Sequence, residues 1–107
     1  MATYNKILGQ LKPAPATPTV LYTVPAVTQA NVNIFAANQA AVADTVRIAI
    51  VQSGNSIDNT CYIVYDLPIA ANTPMIFTGF ALGAGDFIVV HSTSGNVSYN
   101  ATGIEIA

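Results

Sequence analysis

The sequence predicts an all-β fold: a compact antiparallel β-sandwich of jelly-roll or Greek-key type, about seven strands, with an extended N-terminal arm. Three observations carry this expectation. From Val20 onward, β-branched and aromatic runs are separated by Asn, Gly, Pro and Asp, at the spacing of about 8 to 14 residues that marks sandwiches and barrels. In the clearest run Val46, Ile48 and Ile50 alternate with Thr45, Arg47 and Ala49, the period of a strand with one apolar face. The Ala-rich stretch Ala36 to Ala43, though built from a strong helix former, is too short to stand as a helix and reads as a loop.

Seven strands follow in order: Val20 to Val24, Asn31 to Ala37, Thr45 to Gln52, Cys61 to Leu67, Pro74 to Thr78, Asp86 to Ser92 and Asn96 to Ile106. Gly54-Asn55 and Asp58-Asn59 bracket a long hairpin loop, and Ser94-Gly95-Asn96 is a compact turn between the last two strands, because these residues tolerate the dihedrals that turns demand. The fourth strand is apolar on both sides, with Cys61, Ile63, Tyr65 and Leu67 opposite Tyr62, Val64 and Asp66. That pattern suggests a central or interface strand. Gly103 interrupts the last alternation, where a bulge is expected. The apolar members Val46, Ile48, Ile50, Ile63, Phe77, Ile88 and Val90 are the expected core.

Residues 1–19 read as a separate arm and 20–107 as the sandwich domain. Pro13-Ala14-Pro15-Ala16-Thr17-Pro18 fixes φ at alternate positions and favours an extended spacer. Ahead of it Lys6, Ile7, Leu8 and Leu11 fit one amphipathic helical turn, too short to hold by itself. These four residues are the expected interface, docking on a neighbouring subunit or on the lattice of a larger assembly, with the sandwich folding independently of them.

The chain has three Lys and Arg and five Asp and Glu among 107 residues, 7% charged, where a soluble domain averages about 25%. Its surface is therefore Asn, Gln, Thr, Ser, Ala and small apolar groups, which suits packing against copies of itself or a larger assembly. The formal charge of −2 gives no basic footprint, so no nucleic acid is expected as partner. No run of apolar residues is long enough to span a bilayer as a helix, and no membrane partner is expected. The N-terminus lacks a secretory pattern, and Cys61, the one cysteine, cannot form an intrachain disulfide. Synthesis in the cytoplasm is expected.

No residues assemble a chemistry. His91 is the one histidine, and a catalytic base needs a nucleophile and an orienting carboxylate nearby. Cys61 and His91 are too few for zinc. Asp44, Asp58, Asp66, Asp86 and Glu105 are scattered, as turn residues would be. Gly83-Ala84-Gly85 precedes a strand, whereas a phosphate-cradling loop opens a helix. Arg47, mid-strand, is expected to pair with Asp44, Asp66 or Glu105, or with a neighbouring subunit. The expectation is a protein that is not an enzyme, with no catalytic, cofactor or metal site.

Leu21-Tyr22-Thr23-Val24-Pro25-Ala26, Thr45-Val46-Arg47-Ile48-Ala49-Ile50, Tyr65-Asp66-Leu67-Pro68-Ile69, Thr78-Gly79, Leu82-x-x-Gly85-Asp86, Ser92-Thr93 and Gly103-Ile104-Glu105 resemble a family of small virion structural proteins of tailed bacteriophages, cyanophages included. The resemblance covers about residues 20–107 and rests on strand and turn positions. It implies a β-sandwich structural protein of the virion, made in the bacterial host cytoplasm. The expected role is a capsid decoration or cement protein, with the major capsid protein or other virion subunits as partners and a homotrimer as the assembly state. The alternatives are a tail, baseplate or fibre-attachment component, or a carbohydrate-binding module at a fibre tip reading sugars through Tyr22, Tyr62, Tyr65 or Tyr99.

Overall fold

A computed structural model describes residues 2–107. It holds eight strands and no helix: β1 (Thr3–Leu11), β2 (Thr19–Thr23), β3 (Gln29–Asn38), β4 (Asp44–Val51), β5 (Tyr62–Ile69), β6 (Pro74–Leu82), β7 (Phe87–Ser92) and β8 (Val97–Ile106). They form two antiparallel four-stranded sheets, sheet A in the order β1-β8-β3-β6 and sheet B in the order β2-β7-β4-β5. First pairs with last, second with seventh, third with sixth and fourth with fifth, which is the winding of a jelly roll. The expected sandwich is present, with one strand more than the sequence suggested.

Between the sheets lies one core in which Val32, Ile34, Val46, Ile48, Ile88, Val90, Val97 and Tyr99 are fully or almost fully buried. Of the expected core residues, Val46, Ile48, Ile88 and Val90 are enclosed, and Ile50 and Phe77 pack against them half-buried. Ile63 is 44% exposed and points the other way. Replacing Ile48 by Ala is expected to cost about 2–5 kcal/mol, since a closed site collapses only partly around the void, whereas Ile63→Ala should change stability by less than about 0.5 kcal/mol. Chemical denaturation of the two variants checks both values.

The residues that broke the expected alternation share one cause. Each edge strand carries a register shift: β1 between Ile7 and Gly9, β2 between Val20 and Tyr22, β5 opposite Val46 to Ile48 and again opposite Ile48 to Ala49, and β6 opposite Val32 to Ile34. The ladders between central strands, β3 with β8 and β4 with β7, run without a shift. A bulge puts two residues opposite one and moves the following side chains to the other face. In β5 the bulge at Tyr65 and Asp66, with Asp66 at φ 51°, lets Val64 and Leu67 both reach the core and leaves Ile63 and Tyr65 outside. β5 is thus an edge strand, not a central one. In β6 the bulge falls at Gly79, φ 89°, so that Phe77 and Phe80 both point inward and the strand continues past Thr78 to Leu82.

The first nineteen residues differ most from expectation. Thr3–Leu11 is neither a free arm nor a helical turn but the edge strand of sheet A, paired with β8 from Thr3 opposite Ile106 to Leu11 opposite Tyr99. Ala2 and Ala107 exchange backbone hydrogen bonds of 2.9 and 2.8 Å at its outer end. The bulge at Ile7–Gly9 brings Leu8 and Leu11 to the same inward side. A three-residue spacing that reads as helical is produced here by a bulged strand. The Pro-rich segment does not project. It turns at Ala14–Thr17, where Ala16 at φ 52° donates its N–H to the Ser92 carbonyl at 2.9 Å, and carries the chain from one sheet to the other. Gly95 lies so close to the Pro15 ring that a Cβ there would collide with it.

Gly103 does not make the expected bulge, since Val32 faces Gly103 within an unbroken ladder. Its role is close approach: a Cβ at this position would run into the Asn31 carbonyl of β3.

Candidate functional site

The five carboxylates are taken up by the fold. Asp44, buried at the start of β4, accepts from the N–H groups of Thr45 at 2.8 Å, Ser94 at 3.0 Å and Asn96 at 3.4 Å, and so closes the β7–β8 turn. Asp86 accepts from the N–H groups of Gly83 at 2.8 Å and Ser53 at 2.9 Å, joining the β6–β7 turn to the start of the long loop. The glycine-rich stretch before it is therefore a turn. Asp58 accepts from the Thr60 N–H and hydroxyl within that loop, and these bonds, the hydroxyl's first, hold its carboxyl below the usual range. Asn38, which sequence reasoning passed over, is buried and ties the loop after β3: its amide donates to the carbonyls of Val42, Ile69 and Ala70 at 2.8 to 3.2 Å.

Glu105 is the buried carboxylate of the sandwich margin. It accepts from the Tyr22 hydroxyl across the sheets at 2.5 Å and from the Lys6 ammonium at 2.9 Å. The Lys6 contact first, then the Tyr22 bond, holds the Glu105 carboxyl below the usual carboxylate range. Burial, reinforced by Glu105, pushes the Tyr22 hydroxyl up. Of the four expected interface residues, Lys6 therefore serves this internal pair and Leu8 and Leu11 pack on the chain's own core. Ile7, 60% exposed, and the outer part of the Lys6 side chain, 53% exposed, remain open to solvent.

The outer face of sheet B holds the remaining pair. The β5 bulge sets Tyr65 and Asp66 together opposite Arg47 of β4. Arg47 Nε and Nη2 donate to Asp66 Oδ1 and Oδ2 at 2.6 and 3.2 Å, and the guanidinium lies 4.2 Å from the centre of the Tyr65 ring. Asp66 was among the partners expected for Arg47. Its fork geometry and the stacked ring are what a guanidinium takes and an ammonium does not. Tyr62 meets Tyr65 edge to face, centroids 5.1 Å apart, and with Asn59 they line a shallow hollow of about 320 Å³. Of the tyrosines named as sugar platforms, Tyr22 and Tyr99 are buried, Tyr99 donating its hydroxyl to the His91 carbonyl at 2.8 Å. Tyr62 and Tyr65 remain accessible.

His91 sits opposite Arg47 in the β4–β7 ladder, buried, with Nδ1 lacking a hydrogen-bond partner among the described residues. Burial first, then the Arg47 charge, makes its protonation harder than usual. Among the described residues no three of His, Cys, Asp and Glu converge on one point. A second small apolar cluster, Ala49, Val51 and Val89 with Phe87, Tyr62 and Cys61 packed on it, lies on this side of sheet B.

These groups fix the sign of the acid response. The folded-state pKa values of His91, Asp66 and Glu105 all lie below their unfolded ones. The unfolded chain therefore takes up protons first, and each contribution is complete above the unfolded pKa and lost as the pH falls. The unfolding midpoint should decline first below about pH 6.5, where a free imidazole titrates, and more steeply below about pH 4.5, where free carboxyls do. His91→Gln should flatten the upper part of that decline and leave the lower part. Midpoints that rise between pH 7 and 5 would contradict the assignment.

The outer face of sheet A is of another kind. Lys6 and Glu105 lie on its inner side, Arg47 and Asp66 on sheet B, Asp44 at the buried start of β4, and Lys12, Asp58 and Asp86 in connections between strands. No Asp, Glu, Lys or Arg points outward from β1, β8, β3 or β6. What does is mainly Thr, Asn, Gln and Ser, with exposed Ile7, Phe35 and Ile76 and half-buried Ile104 and Ile106. Gln10 and Asn100 hydrogen-bond at 2.6 Å between neighbouring strands on it. Both Asn-x-Ser/Thr sequences, at Asn96 and Asn100, lie at or on β8.

No protein-family model, curated protein or solved structure matches this chain.

Proposed function

We propose that this protein is a non-enzymatic structural subunit of a tailed-phage particle, with capsid decoration or cementing as its role and tail, baseplate or fibre attachment as the other position in the same particle. The resemblance of residues 20–107 to virion structural proteins supplies the setting. The observation that carries the reading is the uncharged outer face of a complete four-stranded sheet, which a free monomer would have to keep in water with little charge to hold it in solution. The absorption of every carboxylate into turns and ion pairs supports a structural rather than catalytic use. Partners are then other copies and the major capsid protein or its neighbours, and the working location is the virion. The test is retention: purified protein added to particles lacking it should co-sediment with them and raise the temperature at which they release their genome. Particles that neither retain the protein nor gain heat resistance would refute the cementing role.

A second reading is favoured by the Tyr62, Tyr65 and Asn59 hollow, where aromatic rings beside the Arg47–Asp66 pair offer apolar faces and polar groups of the kind that sugars require. A glycan array in which binding depends on Tyr65 would establish a carbohydrate-binding module. An array without binding removes that reading.

A further inference from the structure

We propose that the outer face of sheet A is a self-association surface, on which a second copy of this chain packs face to face with Phe35 and Ile76 among its apolar contacts. This rests on the assembly reading above and names the surface that reading needs. Three features of the fold lead to it.

The first is what the edges do. Strand addition needs a flat, regular edge, and β1, β2, β5 and β6, which form all four edges, each carry a register shift. Bulges twist an edge away from a would-be neighbour and interrupt its row of free N–H and C=O groups. Association through faces is left. The outer face of sheet B carries the Arg47–Asp66 pair, so two such faces brought together would have to desolvate charges.

The second is charge. A surface that meets its own copy across a two-fold axis sets each residue type against the same set, so like charges would be driven together. The sheet A face has none to repel. Its Asn, Gln, Thr and Ser both donate and accept hydrogen bonds, so they can pair with themselves.

The third is extent. Four strands about 4.8 Å apart, each up to about 30 Å long, make a face of roughly 600 Å² in flat projection. The accessible area of its side chains is larger, and it comes close to the ~800 Å² per partner of a standard specific interface. Phe35 and Ile76 are opposite one another in the β3–β6 ladder, 38% and 61% exposed, and Ile7 lies on the far strand of the same face. A face pairing with itself gives a two-fold dimer in place of the trimer that the sequence suggested.

Sedimentation velocity of the full chain at about 100 µM, well above the micromolar range of weak specific contacts, tests this against Phe35→Glu, Ile76→Glu and a control, Val42→Glu. Val42 is 62% exposed in the β3–β4 connection, off the face. The wild type and the control should sediment as dimers or larger, and both face variants as folded monomers with an unchanged β spectrum. Two positions are used so that a folding failure at one leaves the other as the readout. A monomeric wild type, or face variants that still associate, overturns the proposal. If the wild type is monomeric yet binds particles and Phe35→Glu does not, the face serves another virion subunit: self-association fails while the assembly reading survives. If the wild type neither associates nor binds particles, both fail.

Discussion

Removing residues 1–11 is expected to lower the unfolding midpoint by at least about 15 °C, or to prevent soluble accumulation altogether. β1 supplies the whole outer hydrogen-bonding partner of β8. Its loss would expose the edge of a strand that is otherwise central and buried along one side, an edge that invites aggregation. Leu8 and Leu11 would leave the core margin open, and Glu105 would keep Tyr22 but lose its cation. A carboxylate enclosed without its partner bears a desolvation cost of about 1–3 kcal/mol. Lys6→Met in the full chain separates these effects: it should remove only the Glu105 part and weaken the acid sensitivity that this carboxyl brings. Thermal unfolding of both proteins checks the ranking. A truncated chain as stable as the full one would mean that β1 is an accessory strand.

Gly103→Val should be as severe. The position faces Val32 of β3 and Lys6 of β1 in the middle of sheet A, and a Cβ would meet the Asn31 carbonyl, which belongs to the backbone and cannot turn aside. Strand separation would have to grow at the centre of the sheet. The expected cost exceeds about 3 kcal/mol, the upper end of ordinary overpacking, and Gly103→Ala should follow the same direction. Soluble yield and denaturation midpoint measure it. A Gly103→Val protein of near wild-type stability would show that the sheet has slack here.

These two sites also show where the sequence was readable. Strands β2, β3, β4, β5, β7 and β8 were placed to within about two residues from their β-branched and aromatic runs, and Val46, Ile48, Ile88 and Val90 were assigned to the core by the two-residue period alone. The misassignments were Ile63, the end of β6 and all of β1. A bulge converts a two-residue period into a three-residue one, so Leu8 and Leu11 read as helical and Val64 and Leu67 as lying on opposite faces. The bulge expected at Gly103 lies instead at Gly79, and Asp66 at positive φ gave no sign of another, because an Asp in a strand carries no such signal. The Pro-rich segment read as a spacer because its contacts, Ala16 with Ser92 and Pro15 with Gly95, depend on chain far away in sequence.

The candidate surfaces were legible in outline only. Scarcity of charge announced an assembling surface, and Arg47 announced an ion pair with a short list of partners. That the uncharged residues gather on one sheet, however, depends on the jelly-roll order that puts β1, β8, β3 and β6 side by side, and no local pattern encodes that order.

The most direct measurement is the number of copies of this chain per purified particle, by quantitative mass spectrometry against the major capsid protein. A decoration subunit associating through a sheet face should be present on the order of hundreds of copies, following the symmetry of the capsid lattice. A few dozen or fewer would move the protein to the tail, and its absence from washed particles would contradict a structural role in the virion.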